Sequence, residues 1–138
     1  MGQILAVDYG KARCGLAATD DMKIIASALQ TVDTKTLPDF LRKYVSEHKV
    51  DGMVVGLPTD LKGNLSEIET DILKFITAFE QEFPQIPVFR LDERFTSKMA
   101  SFFISQSGKS KKQRQEKGLI DRVSATIILQ NFLEQKTR

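Results

Sequence analysis

The hydrophobic period changes once along this chain, near Leu37, and that change limits the architectures open to it. Before it, apolar residues come in short runs: residues 4–7 ending on Asp8, residues 15–19, and residues 23–28. Runs of this length bounded by polar residues and glycine read as strands. Tyr9-Gly10-Lys11-Ala12 and Asp20-Asp21 supply the turns, so the spacing predicts an antiparallel meander of three strands. From Leu37 onward, Leu37, Phe40, Leu41, Tyr44 and Val45 recur at three and four, the stripe of an amphipathic helix. Thr34 or Thr36 can cap that helix, with Pro38 in its first turn. A strand follows at residues 53–57, closed by Pro58. Ser66 and Glu69 form a capping box for a second helix carrying Ile68, Ile72, Phe75, Ile76 and Phe79. Pro84 and Pro87 end it, and residues 88–91 form a strand ending on Asp92-Glu93. Thr96 or Ser97 opens a third helix through Met99, Phe102, Phe103 and Ile104, and a last helix covers residues 120–133. The order β-β-β-α-β-α-β-α-α predicts an α/β fold, a mixed five-stranded sheet with helices on both faces.

No internal repeat and no linker interrupts the 138 residues, so residues 1–138 are expected to form a single domain. A hydrophobic fraction of 41% with 28% charged residues excludes the disordered composition class. Cys14, the one cysteine, permits no internal disulfide and has no histidine or second cysteine beside it, so a packed residue is expected. The charge at Asp8 comes too early for a signal-peptide apolar region, and no run approaches the ~18 residues of a membrane span. The expectation is a soluble, cytoplasmic chain with no membrane partner.

The charge is uneven. Twenty Lys and Arg against eighteen Asp and Glu give +2, which excludes a uniformly basic coat. Residues 108–118 are polar and read as an unpacked loop. There Lys109, Lys111, Lys112, Arg114 and Lys117 face only Glu116, a local +4 that leaves −2 for the remainder. Such a run is commonly a solvated loop; beside a phosphodiester site it would suit a polyanion and order upon it.

Three acids close elements. Asp8 ends the first strand, Glu93 the last, and Asp121 starts the terminal helix, with the small residues Ser124 and Ala125 one turn later. In α/β sheets ligands bind beyond the carboxyl ends of strands. An all-oxygen set without histidine or cysteine suits Mg²⁺ or Mn²⁺, and two such ions about 4 Å apart serve phosphodiester hydrolysis. Acids at element ends also arise by chance, and an aspartate at a helix start is explained by capping alone. Pattern by itself leaves both readings open.

The motifs are more specific. Val7-Asp8-Tyr9-Gly10-Lys11-Ala12-Arg13-Cys14-Gly15-Leu16-Ala17 resembles the opening signature of the YqgF/RuvX family. Val54-Val55-Gly56-Leu57-Pro58 with Gly63 resembles its second block, and Leu91-Asp92-Glu93-Arg94-Phe95-Thr96-Ser97 its third. Ile120-Asp121-Arg122-Val123-Ser124-Ala125 resembles the fourth. Ser97 and Ser124 depart from the commoner Thr and Ala. Four blocks in order cover essentially the whole chain. The resemblance implies an RNase H-like fold and a divalent-metal nuclease whose acidic set is Asp8, Glu93 and Asp121. The family is described both as Holliday-junction-resolvase-like and as pre-16S ribosomal RNA nucleases.

Around that set, Arg13 could contact a phosphate or form a surface ion pair, and Arg94 could bind phosphate or hold Glu93. With Lys109, Lys111, Lys112 and Arg114 they are the candidate substrate-binding residues. The leading expectation is a Mg²⁺- or Mn²⁺-dependent endonuclease processing the 5′ end of pre-16S ribosomal RNA. The alternatives are a resolvase of branched DNA or a non-catalytic nucleic-acid-binding ribosome-assembly factor. An actin-like or sugar-kinase phosphotransferase also opens with Asp-x-Gly, but pairs two such domains around ATP. A resolvase would act as a homodimer, because it cuts two related strands; an RNA nuclease could act as a monomer.

Overall fold

Alternation along the strands decides which helix packs where. The computed structural model describes residues 2–23, 25–57, 67–92 and 117–136; the side chains of residues 92, 117–122 and 135–136 lie outside that description. Five strands, β1 (Gln3–Asp8), β2 (Arg13–Thr19), β3 (Ala26–Asp33), β4 (Val50–Leu57) and β5 (Val88–Asp92), form one sheet in the order β3-β2-β1-β4-β5. β1 pairs antiparallel with β2 and β2 with β3, whereas β1, β4 and β5 run parallel. The helices are α1 (Leu37–Glu47), α2 (Glu69–Glu82) and α3 (Lys117–Lys136), with a single 3-10 turn at Thr34–Thr36 leading into α1.

Successive strand residues point to opposite faces. Leu5 and Val7 of β1, Cys14 and Leu16 of β2 and Met53 and Val55 of β4 meet α1 and α2 through Leu37, Leu41, Ile72, Ile76 and Phe79. Ile4 and Ala6, with Ala17, Val54 and Leu91, meet α3 through Ala125, Ile128, Leu129 and Phe132. Helices therefore cover both faces, as the sequence predicts. Each large side chain buried in this way contributes about 1.5–3 kcal/mol.

Several boundaries differ from the sequence reading. The third strand starts at Ala26 rather than near Lys23 and continues to Asp33. Lys23 adopts a left-handed backbone (φ 58°), and Asp20 organises the turn, its side chain accepting the Ile25 N–H at 2.8 Å. The Thr34 and Thr36 hydroxyls do not cap α1; they donate backward, to the carbonyls of Gly10 and Asp33. The carboxylate of Glu69 takes the guanidinium of Arg90 instead of serving a capping box, and Ser66 lies outside the described residues. The last helix begins at Lys117, so the final two residues of the lysine-rich segment are helical rather than loop. Asp121 consequently lies one turn inside α3, not at its start. The predicted third helix at residues 96–104 lies outside the described residues.

The amino edge of the sheet is closed by a bulge. The β1–β4 register shifts between Gln3 and Ile4, leaving Asp51 as the extra residue of β4. Its carboxylate accepts from Lys23 at 2.8 Å and from the Gly2 N–H at 2.9 Å. A bulge re-aims a side chain in just this sense. These two partners hold the Asp51 carboxyl below its ordinary range, Lys23 contributing most.

Candidate functional site

Asp8 is the last residue of the central strand. It shares the alternation of Ile4 and Ala6, which puts it on the face covered by α3, and it is half-buried. Its antiparallel partner in β2 is Gly15, and one step beyond the Val7–Val55 pair of β4 stands Gly56. Neither neighbour brings a side chain to the space beside the carboxylate. On α3, Ser124 and Ala125 are buried at 2% and 0% exposure, with Ala125 in the cluster that contains Ala6. Small residues here let the helix lie close to the sheet. Asp121 precedes Ser124 by three residues on the same helix.

The ends of β1, β4 and β5 share one edge because the three strands are parallel, with Leu57 opposite Asp92 at the far end. Glu93 follows in the sequence, outside the described residues, as do Arg94, Lys109, Lys111, Lys112 and Arg114. Arg13 opens β2 opposite Asp33 and is half-buried. Asp8 and Arg13 thus flank the same β1–β2 turn, and α3, which bears Asp121, packs on the face that Asp8 shares. Among the described residues no group of three or more His, Cys, Asp or Glu is gathered as a metal site. Asp8 itself has the chemistry a hard cation takes: a carboxylate oxygen donor at a strand end, flanked by glycines.

The turn after Asp8 is tightly constrained. A Cβ on Gly10 would lie 2.5 Å from the Arg13 carbonyl oxygen, so only glycine fits. Tyr9 turns to the other face, where its ring lies 5.4 Å from that of Phe75. Burial, reinforced by Cys14 and Asp71, raises its hydroxyl above the ordinary tyrosine value, so Tyr9 stays protonated at neutral pH. Cys14 is fully buried, the packed residue the sequence predicts.

Sequence reasoning missed Arg90. Its guanidinium grips Glu69 at 2.6 and 2.8 Å and also donates to the carbonyls of Val55 (3.2 Å) and Gly56 (3.1 Å). One side chain therefore ties the ends of β4 and β5 to the first residue of α2. The available signal was an arginine inside the apolar run Val88-Phe89-Arg90-Leu91, which a buried strand tolerates only with a carboxylate partner.

Solved structures with this architecture define the class. The chain superposes on Thermus thermophilus RuvC in complex with Holliday junction substrate with a TM-score of 0.61 at 13% identity, covering 99% of this chain and 96% of that one. The fowlpox virus Holliday junction resolvase matches with a TM-score of 0.56 at 13% identity, over 96% and 99% of the two chains. The fold is the RNase H-like fold of these resolvases. The family model of RuvX, described as Holliday junction resolvase, matches residues 2–135. A Flavobacterium johnsoniae protein named "Putative pre-16S rRNA nuclease" is 52% identical over 136 residues, 99% of both chains. A Porphyromonas gingivalis protein of the same name is 50% identical over all 138 residues of both. The chain belongs to the RuvX family of nucleases. No helix among the described residues is long and apolar enough to cross a membrane.

Proposed function

We propose that the chain is a single-domain, cytoplasmic, divalent-metal-dependent endonuclease that hydrolyses phosphodiesters of structured RNA, with the 5′ end of pre-16S ribosomal RNA as its substrate. The observation that carries this reading is the position of Asp8. It ends the central strand on the face covered by the helix that bears Asp121, between two glycines. The names of the relatives at 50% and 52% identity support the substrate. The family description supports branched DNA as a second substrate class.

In this reading Asp8, Glu93 and Asp121 hold Mg²⁺ or Mn²⁺, which when bound supplies Lewis-acid stabilisation of the phosphoryl oxygens. Asp8 at the end of β1 and Asp121 on α3 would supply oxygens to that ion, and Glu93 would orient the attacking water. That water adds to phosphorus in line with the departing oxygen, so one P–O bond forms as the other breaks. Arg13 and Arg94 contact the flanking phosphates; Lys109, Lys111, Lys112 and Arg114 contribute longer-range attraction that weakens with salt.

The test is cleavage of labelled pre-16S RNA fragments and four-way junction DNA by wild type and by Asp8→Asn with Mg²⁺ or Mn²⁺. Preferential cleavage of RNA that depends on Asp8 is expected. Preference for the junction would move the substrate to DNA, and metal-independent cleavage would remove the metal.

A further inference from the structure

We infer that the cleft between α1 and α2, beside the end of β1, is a nucleobase subsite that takes an unpaired guanine of the substrate strand. The inference rests on the reading of the chain as a nuclease of structured RNA with Asp8 at its site. The cleft has a volume of about 310 Å³, enough for a base with its ribose. Its walls are the rings of Tyr9 and Phe75 with Pro38 and Ala78, and its polar rim is Asp71 and Lys74 of α2. An unstacked base takes such a lining: aromatic and apolar faces for the ring, a few polar groups for its edge.

The position follows from strand alternation. Asp8 and Tyr9 are consecutive, one on the face covered by α3 and the other on the face covered by α1 and α2. A nucleic-acid strand with a phosphate at Asp8 crosses the carboxyl edge of the sheet. A base turned out of its stack there meets Tyr9 on the far side. The rings of Tyr9 and Phe75 lie 5.4 Å apart and tilted by 33°, an arrangement that holds Tyr9 at the mouth of the cleft. Tyr9 is half-buried, and its hydroxyl has no hydrogen-bond partner among the described residues.

The polar rim sets the chemistry. Asp71 and Lys74 stand three apart on α2 and share one side of it. Neither has a hydrogen-bond or ion-pair partner among the described residues, whereas Glu69 and Glu82 of the same helix each hold an arginine. An ionised carboxylate only accepts, and guanine is the base that offers it two adjacent N–H donors. Lys74 supplies the positive charge that a phosphate of the same strand requires, beside the negative Asp71.

The experiment titrates the full chain, without metal, with guanosine monophosphate, uridine monophosphate and inorganic phosphate, following backbone amide shifts by NMR. Saturable shifts at Tyr9 and residues 70–78 are expected for guanosine monophosphate, with an affinity about fivefold above that of uridine monophosphate. Tyr9→Leu should weaken both nucleotides about tenfold. Asp71→Ala should bring the ratio of the two affinities close to one, and Lys74→Ala should weaken both nucleotides; these two positions are exposed, so the variants keep the fold. Equal shifts from inorganic phosphate, a ratio unchanged by Asp71→Ala, or binding indifferent to Tyr9→Leu and Lys74→Ala overturns the inference. Asp8→Asn should bind guanosine monophosphate as wild type does. Wild-type cleavage by Asp8→Asn would defeat the reading of the catalytic site and leave these titrations standing. Cleavage that depends on Asp8, without nucleotide shifts in the cleft, would defeat the subsite alone.

Discussion

The two faces of the sheet are built by different rules. The face under α1 and α2 is filled by large side chains, Leu5, Leu16, Leu37, Leu41, Met53, Ile72 and Phe79, and extended by the ring series Phe75, Phe79 and Phe83. The face under α3 joins the alanines Ala6, Ala17 and Ala125 with Ile4, Val54, Leu91, Ile128 and Leu129, and pairs the rings of Phe89 and Phe132. Bulk on the first face fixes the sheet. Smallness on the second lets a helix approach the end of β1, and that is the face Asp8 shares. The candidate carboxylate and the larger of the two core clusters thereby lie on opposite sides of one sheet.

Breaking the first face should be the most destabilising. Leu41→Ala removes a fully buried side chain between α1 and the sheet and should lower unfolding stability by about 3–4 kcal/mol, measured by urea denaturation. Its cleavage activity in native conditions should be nearly unchanged. Glu69→Gln leaves Arg90 without its charge partner beneath the ends of β4 and β5. A loss of about 3 kcal/mol is expected in the same titration.

The second face should show the reverse balance. Ala125→Leu forces volume between α3 and Ala6, for a stability loss of about 1–3 kcal/mol. Its cleavage rate should nevertheless fall further than that of Leu41→Ala, because α3 is lifted from the Asp8 end of the sheet. Equal activity in the two variants would erase the functional distinction between the faces.

The smallest effect belongs to the amino edge, away from both. Lys23 and the Gly2 N–H depress the Asp51 pKa, so their stabilisation is present above the unfolded carboxyl value near 4 and is lost as pH falls through the lower folded value. Asp51→Asn should be less stable than wild type at pH 7, with the difference closing as pH falls below the ordinary carboxylate range, followed by thermal melts across pH. Cleavage should be unaffected throughout.

What could be read from sequence follows the range of the interactions involved. The β1 strand and its terminal acid were legible because an apolar run stopping at a carboxylate is a local signal. The stripes of α1 and α2 were legible for the same reason. The start of β3 was not, because it depends on a left-handed Lys23 that no periodicity reveals. The first turn of α3 was hidden by its polar residues Lys117 and Gly118, which carry no apolar stripe. The Arg90–Glu69 pair joins residues 21 apart, and the Thr34–Gly10 bond residues 24 apart; both exist only once the sheet order is formed. Of the predicted acidic set, the sequence placed Asp8 correctly at the end of a strand and put Asp121 one turn too near the helix start.

Asp8, on the face covered by α3, is proposed as the catalytic carboxylate of a metal-dependent nuclease. Its most direct test is kcat for Asp8→Asn against wild type on the same labelled RNA, with thermal midpoints measured in parallel. A loss of about 10³-fold or more at a nearly unchanged midpoint is expected. Cleavage at the wild-type rate by a folded Asp8→Asn protein would contradict it.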